Sequence, residues 1–355
     1  MTKVLVLGAG KIGVGVAEIL AECGDYRVTL ADNDADALDS RGRGNVKRER
    51  LDVSDKAALG RAVDAADIVI SALPYFLDPL VGEAAREYGA HFFNLTEDLD
   101  TARRLREIAE GAETLFVPQC GLAPGFISIV ANHLVNRFDE PHDVRLRVGA
   151  LPLYPDNALK YNLTWSIDGL INEYCNLCDA IHEGQRRELL PLEGLEHFSL
   201  DGVNYEAFST SGGAGTLCET LEGRVRNLNY KTVRYPGHRD MIQMLAHDLK
   251  LCEHRETFKD LIEYGIPVTH QDVVLIFVSV TGMREDILTQ ESYAKKIYGG
   301  LDEGGRSAIQ ATTAAGVCAM VDLHRDGKLP ASGFVRQEDA DFDEFVANRF
   351  GKVFA

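Results

Sequence analysis

The chain has 355 residues, of which 45% are hydrophobic and 26% are charged. This is the usage of a globular protein and excludes a disordered, collagen-like or low-complexity chain. The 37 basic and 55 acidic residues give a formal net charge of −18, which disfavours a nucleic-acid partner and favours a cationic ligand. The length predicts two domains.

The sequence shows no pattern typical of a membrane-spanning helix or of a signal peptide. No apolar run approaches the roughly 18 residues that a membrane-spanning helix needs. The first strand follows the first three residues directly, so we expect no signal peptide, no membrane partner and a cytoplasmic protein. The odd number of cysteines, seven, is typical of free thiols in a reducing compartment. Only Cys175 and Cys178 have the spacing of a pair, and one helix face has the same spacing.

The first 120 residues alternate short apolar runs with helical patterns, which predicts a parallel sheet with helices on both faces. Predicted helices at 57–63, 79–88 and 100–110 follow this alternation. Six strands are a full dinucleotide-binding, or Rossmann, set. The predicted strands are 4–7, 27–31, 46–51, 67–72, 91–95 and 114–117.

From residue 121 the pattern changes to a helix at 126–137 and then to long β-rich segments, which predict a mainly antiparallel sheet. A helix at 307–324, rich in small residues, is expected to pack back on the first domain. The fold class is therefore α/β, with an inserted α+β domain for substrate binding and dimerisation. Exposed strand edges in that domain predict a homodimer. The predicted boundaries are 1–122 closed by 305–355 for the Rossmann domain, and 123–304 for the inserted domain.

A glycine-rich turn with the pattern G-x-G-x-x-G follows the first strand and opens a helix. Gly8 allows the tight turn, Gly10 lets the backbone approach a pyrophosphate, and Gly13 lets the helix pack on the strand. Lys11 and Ile12 begin the helix, whose N-terminal N–H groups favour an anion. The turn therefore predicts a dinucleotide cofactor.

The choice of dinucleotide depends on Asp32, which ends the second strand 19 residues after Gly13. Its carboxylate would accept hydrogen bonds from the adenosine ribose and would repel a 2′-phosphate. The next residue, Asn33, adds no cation, so we predict NAD, with NADP less favoured. Arg41 and Arg43 are the alternative, because a basic segment there could reach a 2′-phosphate.

Other cofactor contacts are expected where strands end at the carboxyl edge of the sheet. The aspartate after the third strand bounds the adenine pocket or is a solvated turn residue. The segment after the fourth strand should run beside the nicotinamide, and a proline in the first turn of the next helix faces the cofactor or only starts that helix. These residues are Asp52, Ser71, Ala72, Leu73, Pro74 and Pro124.

Five stretches together resemble the saccharopine dehydrogenase, or saccharopine reductase-like, family. They are 8–13, Ser71–Tyr75, Asn94–Asp98, Cys120–Gly125 and Thr210–Gly213. Within that family, Tyr161–Trp165 and Tyr235–Arg239 resemble the lysine 6-dehydrogenase branch. The resemblance implies NAD-dependent oxidative deamination of the ε-amine of lysine, a small amino-acid substrate. An enzyme that forms or cleaves a secondary amine, such as saccharopine or carboxynorspermidine, is the alternative, and a non-catalytic NAD-binding sensor is a second one.

Such a reaction needs a base, because an ammonium group must lose a proton before its carbon can be oxidised. Glu97 and Asp98 follow the fifth strand, where one would bind the cationic amine and the other act as base, unless they cap the next helix. Tyr75 matches a family position that could orient the reacting nitrogen, or it is a rim aromatic. His238 could shuttle protons near neutral pH, or it is structural.

Two further residues, Arg239 and Cys120, are predicted to contact the substrate. Arg239 could form a bidentate pair with the α-carboxylate, unless it is a surface arginine. Cys120 lies at the crossing between the domains, where a packed thiol is the simpler interpretation.

The sole tryptophan and three polar or glycine positions complete the predicted site. Trp165 and Asp168 line the pocket for the α-amino end, or are a core aromatic and a helix cap. Ser211 and Gly212 bring backbone donors against a carboxylate, or form a tight turn. The other histidines show no metal-ligand spacing, and the proposed reaction requires no metal.

Overall fold

A computed structural model describes residues 1–40, 45–300 and 305–355. The chain divides into two compact units: 1–129 with 312–355, and 130–311. The domain boundaries predicted from the sequence stay a prediction, and residue 304 lies outside the described residues.

Unit 1, residues 1–129 with 312–355, is built on a seven-stranded parallel sheet. Elements are numbered in chain order through both units. Its strands, in the spatial order β15-β6-β5-β4-β1-β2-β3, are β1 (Thr2–Leu7), β2 (Tyr26–Asp32), β3 (Lys47–Arg50), β4 (Ile68–Ser71), β5 (His91–Asn94), β6 (Leu115–Val117) and β15 (Gly333–Phe334). The six predicted strands are all present, and β15 is an addition at one edge.

Helices cover this sheet, and local signals fix where they begin and end. Asp55 caps its helix by accepting hydrogen bonds from the N–H groups of Ala57 and Ala58. Gly89 ends another helix in the left-handed conformation. These helices are α1 (Lys11–Glu22), α2 (Ala35–Ser40), α3 (Lys56–Asp64), α4 (Asp78–Tyr88), α5 (Leu99–Ala109) and α12 (Phe342–Ala347).

Two helices, α6 (Phe126–Val135) and α11 (Ala308–Arg325), run through the divisions between the units. The second half of α11 packs on the parallel sheet, as predicted. Asp322 accepts a buried hydrogen bond of 2.6 Å from the phenol of Tyr26 on β2, and Arg349 binds the same carboxylate.

Unit 2, residues 130–311, contains an eight-stranded mixed sheet. Six strands follow the order β10-β11-β12-β7-β13-β14, and β8 joins β12 to β9. Only the β12–β7 pair is parallel, so the predicted mainly antiparallel sheet is confirmed. The strands are β7 (Glu140–Pro152), β8 (Cys178–His182), β9 (Gln185–Leu189), β10 (Glu196–Leu200), β11 (Val203–Ser209), β12 (Asn227–Arg234), β13 (Asp272–Arg284) and β14 (Ile287–Tyr298).

Four helices that the sequence analysis did not predict accompany the second sheet: α7 (Ile167–Cys175), α8 (Leu217–Leu221), α9 (His238–Gln243) and α10 (Arg255–Gly265). Cys175 at the end of α7 forms a disulfide with Cys252, 77 residues away. The expectation of free thiols is therefore wrong for these two, and Cys175 does not pair with Cys178. Sequence spacing cannot reveal the pairing, because only the packing of α7 beside the chain before α10 brings the two sulfurs together.

In the described ranges, no helix is both long enough and apolar enough to span a bilayer.

Candidate active site

The glycine turn lies between β1 and α1, and each of its glycines meets different surroundings. Gly8 has a φ of +103°, and a Cβ there would lie 2.6 Å from the carbonyl oxygen of Ala72. A Cβ on Gly13 would collide with the carbonyl oxygen of Gly8. A Cβ on Gly10 would meet no atom within 4 Å. Gly8 and Gly13 thus serve the packing, whereas the space beside Gly10 remains open.

The start of α1 suits an anion. Gly10 is the N-cap, no side chain caps the helix, and no acidic residue lies in the first turn. The first helical bond runs from the N–H of Val14 to the carbonyl of Gly10, at 3.1 Å. A helix end of this kind presents N–H groups and the positive end of the helix dipole to a phosphate. Together with the open space at Gly10, this fits the pyrophosphate of a dinucleotide.

Asp32 supports the glycine turn through both carboxylate oxygens. One accepts a hydrogen bond of 2.6 Å from the N–H of Ala9, and the other accepts one of 2.9 Å from the N–H of Asp34. Arg50, the last residue of β3, pairs in register with Asp32 and donates to the carbonyl of Asn33 at 3.3 Å. A guanidinium therefore lies at the end of β2, where the sequence analysis expected no cation. Arg41 and Arg43 lie outside the described residues.

The remaining predicted cofactor residues divide between turns and strand ends. Asp52 is a turn residue, because its carboxylate accepts from the N–H and hydroxyl of Ser54, which holds the pKa of Asp52 below its usual range. Ala72 continues from β4 by donating to the carbonyl of Leu7 at 2.8 Å. Pro74 precedes a short 3₁₀ turn at Tyr75–Leu77.

Pro124 differs from its predicted position. Helix α6 begins at Phe126, two residues later, and Pro124 is buried. Its carbonyl accepts a hydrogen bond of 3.1 Å from the N–H of Gly121, so this segment is a closed turn and not the first turn of a helix.

The two acidic residues after β5 have different surroundings. Asp98 caps α5, since its carboxylate accepts a hydrogen bond of 2.7 Å from the N–H of Thr101. Glu97 is half-buried. Tyr75 is the first residue of the 3₁₀ turn before α4. Its side chain is half-buried and lies edge-on to the ring of Phe76. Of the two carboxylates, Asp98 is thus the one that caps α5.

Cys120 is buried completely. Its thiol donates to the carbonyl of Val117 at 3.0 Å and receives a hydrogen bond of 3.2 Å from the side-chain amide of Gln337. Burial raises the pKa of the Cys120 thiol to about 12, so it is uncharged at neutral pH. This geometry agrees with the packed thiol that was the simpler interpretation.

Sequence reasoning missed a buried carboxyl in unit 1, Asp78, and its amide partner, Asn94. Asp78 is the first residue of α4, and the side chain of Asn94 donates to it at 2.8 Å. Both residues are buried, beside the strand end at Ser71. Asp78 directly precedes the predicted helix at 79–88, and a polar residue at a helix start is usually an exposed one, so the sequence carried no signal for its burial.

Unit 2 contains a second buried polar cluster, around Arg234. This guanidinium is 2% exposed, donates to the phenol of Tyr174 at 3.2 Å and lies 3.4 Å from the carboxylate of Glu173. It also lies over the ring of Tyr161, 4.8 Å from the centroid. The sequence predicted Arg239 as the arginine that binds the α-carboxylate of the substrate. In the structure, Arg234, five residues earlier, is the buried arginine.

His238 belongs to this cluster and is 1% exposed. Its Nδ1 donates to the carbonyl of Leu159 at 2.8 Å, which leaves Nε2 to accept from the phenol of Tyr174 at 3.0 Å. Burial, and next the charge of Arg234, lower the pKa of His238 to about 3. The imidazole is neutral at pH 7 with both nitrogens bonded, so the predicted proton shuttle near neutral pH does not fit.

The other predicted substrate residues make contacts within unit 2. Arg239 is held by Glu206, by the carbonyl of Leu192 and by Asp240. The residues are otherwise placed as follows: Trp165 donates to the phenol of Tyr161 at 3.2 Å, Asp168 pairs with Lys259 at 2.8 Å, Ser211 donates to the carbonyl of Leu177 at 2.8 Å, and Gly212 accepts from the N–H of Gly215 at 3.0 Å. Gly212 thus agrees with the tight turn given as its alternative, whereas the cap of α7 is Ser166, so Asp168 is not the predicted helix cap.

Within the described ranges, no cluster of three or more His, Cys, Asp or Glu side chains is arranged to hold a metal ion.

Curated proteins of similar sequence include a saccharopine dehydrogenase and an alpha-aminoadipic semialdehyde synthase. The saccharopine dehydrogenase (NADP(+), L-glutamate-forming) of Schizosaccharomyces pombe is 27% identical over 200 residues, which cover 53% of this chain and 44% of the relative. The mitochondrial alpha-aminoadipic semialdehyde synthase of Bos taurus is 27% identical over 315 residues, which cover 84% of this chain and 33% of the relative. The chain thus spans less than half the length of these two relatives.

Two solved structures share the fold. The saccharopine dehydrogenase (L-Glu forming) of Saccharomyces cerevisiae matches with a TM-score of 0.81 at 19% identity, over 98% of this chain and 96% of that one. The homospermidine synthase of Legionella pneumophila, in complex with NAD, matches with a TM-score of 0.70 at 14% identity, over 99% and 89%. At these identities the matches show the fold, and they confirm a Rossmann domain followed by a mixed-sheet domain.

The prediction of NAD in preference to NADP is wrong. The family model that matches residues 4–117 is described as the saccharopine dehydrogenase NADP binding domain, and the S. pombe relative is named for NADP(+). The error has a physical reason. Asp32 was interpreted as a ribose ligand, but both of its oxygens bond main-chain N–H groups, and Arg50 from β3 supplies the cation that the segment after Asp32 lacks.

A second family model, the saccharopine dehydrogenase C-terminal domain, matches residues 121–353. With the match over 4–117, almost the whole chain is covered. The predicted resemblance is confirmed, and the chain belongs to the saccharopine dehydrogenase family.

Proposed function

We propose that the protein is an NADP-dependent oxidoreductase that acts on the CH–NH group of an amino acid. The open space beside Gly10, at an uncapped helix start in a chain of this family, is the observation that carries the proposal. The names of the curated relatives support the same class of reaction.

The cofactor-binding residues follow from the geometry of unit 1. The turn Gly8–Gly13 and the first turn of α1 would hold the pyrophosphate. Arg50 is placed beside the end of β2 to pair with a 2′-phosphate. When bound, NADP⁺ would accept the hydride, a proton with two electrons, that leaves the substrate carbon.

The chain itself must supply a base, because a protonated amine has no lone pair to assist oxidation of its carbon. Asp98 already caps α5 with its carboxylate. Of the two carboxylates that follow β5, we propose Glu97 as the base, with Tyr75, in the 3₁₀ turn that follows β4, orienting the reacting nitrogen. Both residues follow strands at the carboxyl edge of the sheet, where ligands bind in folds of this kind.

Within this class, we propose the ε-amine of lysine as the group that is oxidised. The two stretches that resemble the lysine 6-dehydrogenase branch lie side by side in unit 2. Lys160 donates to the carbonyl of Pro236 at 2.8 Å, and the rings of Tyr161 and His238 are 5.4 Å apart. The net charge of −18 favours approach of a cationic amino acid.

A secondary amine of the saccharopine type is the second candidate, and the name of the S. pombe relative, a saccharopine dehydrogenase, favours it. The two candidates differ in the nitrogen, since lysine carries a primary amine and would release ammonia after oxidation and hydrolysis. Cleavage of saccharopine would release a second amino acid instead.

One assay separates them. Purified protein is mixed with NADP⁺ and, separately, lysine, ornithine, saccharopine or carboxynorspermidine at alkaline pH, and formation of reduced cofactor is followed by absorbance. Reduction with lysine, with release of ammonia, is the expected result. Reduction with saccharopine alone would replace lysine by the second candidate, and no reduction with any amine would overturn the proposal.

A further inference from the structure

Asp78 is a buried carboxyl that none of the proposed steps uses. It is 1% exposed and is the first residue of α4. A carboxylate at a helix start commonly caps the helix, but the cap of α4 is Leu77, and no side chain caps its N–H groups. The carboxyl of Asp78 is directed elsewhere, towards the end of β5.

Asn94 is the partner of this carboxyl. It ends β5, is fully buried, and donates from Nδ2 to Oδ2 of Asp78 at 2.8 Å. The orientation of the amide is fixed, because its Oδ1 accepts from the N–H of Gln119 at 2.9 Å. The carbonyl of Asn94 accepts from the N–H of Cys120, also at 2.9 Å. Asp78 therefore bonds a single residue, Asn94, whose side-chain amide and main-chain carbonyl hold the main chain after β6 at two points.

The other carboxyl oxygen, Oδ1, is buried. Neither it nor the hydroxyl of Ser71 makes a hydrogen bond of full geometry among the described residues, although the hydroxyl lies near enough to favour the charged form of the carboxyl. Ser71 ends β4 directly beside Asn94 in the sheet. Buried polar atoms are nearly always bonded, so Oδ1 at the start of α4 and the hydroxyl at the end of β4 together indicate a position with unused donor and acceptor capacity. Oδ1 is thus the atom that can carry a proton.

The charges around Asp78 favour that proton. Burial, and then the carboxylates of Glu97 and Asp98, raise the pKa of Asp78 to about 7, against the opposing effects of Ser71 and Asn94. Glu97 and Asp98 both lie between β5 and α5, and among the described residues they are the charged groups that act most strongly on this carboxyl.

We propose that Asp78 is a positioning residue that holds an exchangeable proton on Oδ1, and that loss of this proton changes how Asn94 holds the main chain of Gln119 and Cys120. Without the proton, the carboxylate accepts a charge-assisted hydrogen bond from Asn94, which is the stronger kind. The segment held in this way follows β6 at the carboxyl edge of the sheet. The consequence for NADP rests on the proposed function: its affinity should change with the same proton.

The proton is tested on the wild-type protein without any ligand. Aspartate labelled with ¹³C at the carboxyl carbon is titrated by NMR, and the signal that disappears in Asp78→Asn is that of Asp78. We expect a titration midpoint near pH 7, and amide signals of Gln119 and Cys120 that shift with the same midpoint. A midpoint near the ordinary value of roughly 4 would overturn the proposal, and so would amide signals that do not follow it.

Two variants keep the test decisive. Ser71→Ala should raise the midpoint of the same signal, which identifies Asp78 even if Asp78→Asn fails to fold. Asp55→Asn, which replaces an exposed capping carboxylate at the start of α3, is the matched control and should leave both titrations unchanged.

Calorimetry then separates this inference from the proposed function. NADP⁺ affinity of the wild-type protein should change several-fold between pH 6 and 8, and Asp78→Asn should keep the wild-type low-pH affinity throughout, because its amide is permanently uncharged. An unchanged pH dependence in Asp78→Asn would contradict the effect on the cofactor. If the wild-type protein bound no NADP⁺ at any pH, the proposed function would fail, while the NMR titration would still decide the role of Asp78.

Discussion

The carboxylate of Asp32 accepts a hydrogen bond of 2.6 Å from the main-chain N–H of Ala9, in the middle of the glycine turn. Its second oxygen accepts from the N–H of Asp34, so the charge at the end of β2 stabilises the turn on both sides. The acid that marks a dinucleotide site in the sequence is therefore a structural part of that site.

Asp32→Ala is expected to destabilise the protein and to weaken NADP⁺ and NAD⁺ binding together. Two hydrogen bonds to a charged group are lost, and each contributes about 1.5–3 kcal/mol, so the free energy of unfolding should fall by a few kcal/mol. Thermal melting and calorimetry with both cofactors measure this. Selective loss of NAD⁺ affinity with an unchanged melting temperature would contradict the structural role.

Arg50→Gln is expected to weaken NADP⁺ binding and to leave NAD⁺ binding unchanged. The guanidinium of Arg50 lies beside the end of β2. Loss of a charge-assisted hydrogen bond to the 2′-phosphate, about 1.5–3 kcal/mol, would lower the affinity roughly ten- to a hundredfold. Lys47→Gln is the control, because Lys47 lies on the same strand but pairs with Glu49. Equal losses for both cofactors in Arg50→Gln would count against the phosphate assignment.

Gly10→Ala is expected to fold normally and to lose cofactor affinity by at least about tenfold. A Cβ at this position meets no protein atom, so it occupies only the space left for the pyrophosphate. Gly265→Ala is the matched control, since a Cβ there also meets nothing and lies at the end of α10 in unit 2. Differential scanning calorimetry with and without NADP⁺ compares the three proteins. The idea fails if Gly10→Ala keeps the full stabilisation by NADP⁺.

His238 should make the protein less stable in acid. An unfolded histidine takes up its proton near pH 6.5, whereas burial lowers the pKa of folded His238 to about 3. Between these values the unfolded state binds more protons, so the free energy of unfolding falls as the pH drops from 6.5. His324, whose pKa is lowered by burial to about 4, acts in the same direction.

Urea unfolding at several pH values tests this effect. His238→Gln should flatten the dependence below pH 6.5, because the variant has no proton to take up, while His182→Gln, at an exposed histidine, should reproduce the wild-type curve. A wild-type slope retained in His238→Gln would show that this imidazole does not titrate as described.

The parallel sheet was predictable because short apolar runs alternate with helical patterns along the first 120 residues. Val4 to Leu7 illustrates this, as all four residues are buried. Strand β15 was missed because two residues, Gly333 and Phe334, show no periodicity and join the sheet only by pairing beside β6. Strand β14, at one edge of the second sheet, was not predicted individually, because it is polar over much of its length and remains largely exposed.

The site was less predictable than the fold because its decisive contacts are non-local. The glycine turn was found, since its chemistry requires glycines at fixed spacing. Arg50 reaches Asn33 only through the pairing of β3 with β2, and Asp78 meets Asn94 only because α4 begins beside the end of β5. Neither contact leaves a spacing signal in the sequence.

The most direct measurement of the central claim uses lysine labelled with deuterium at the carbon that bears the ε-amine. The protein is incubated with this lysine and NADP⁺, the reduced cofactor is isolated, and its mass is measured by mass spectrometry. The account predicts reduced cofactor that carries one deuterium. Reduced cofactor without deuterium, or no reduction with lysine or with a correspondingly labelled saccharopine, would contradict an oxidoreductase acting on the CH–NH group of an amino acid.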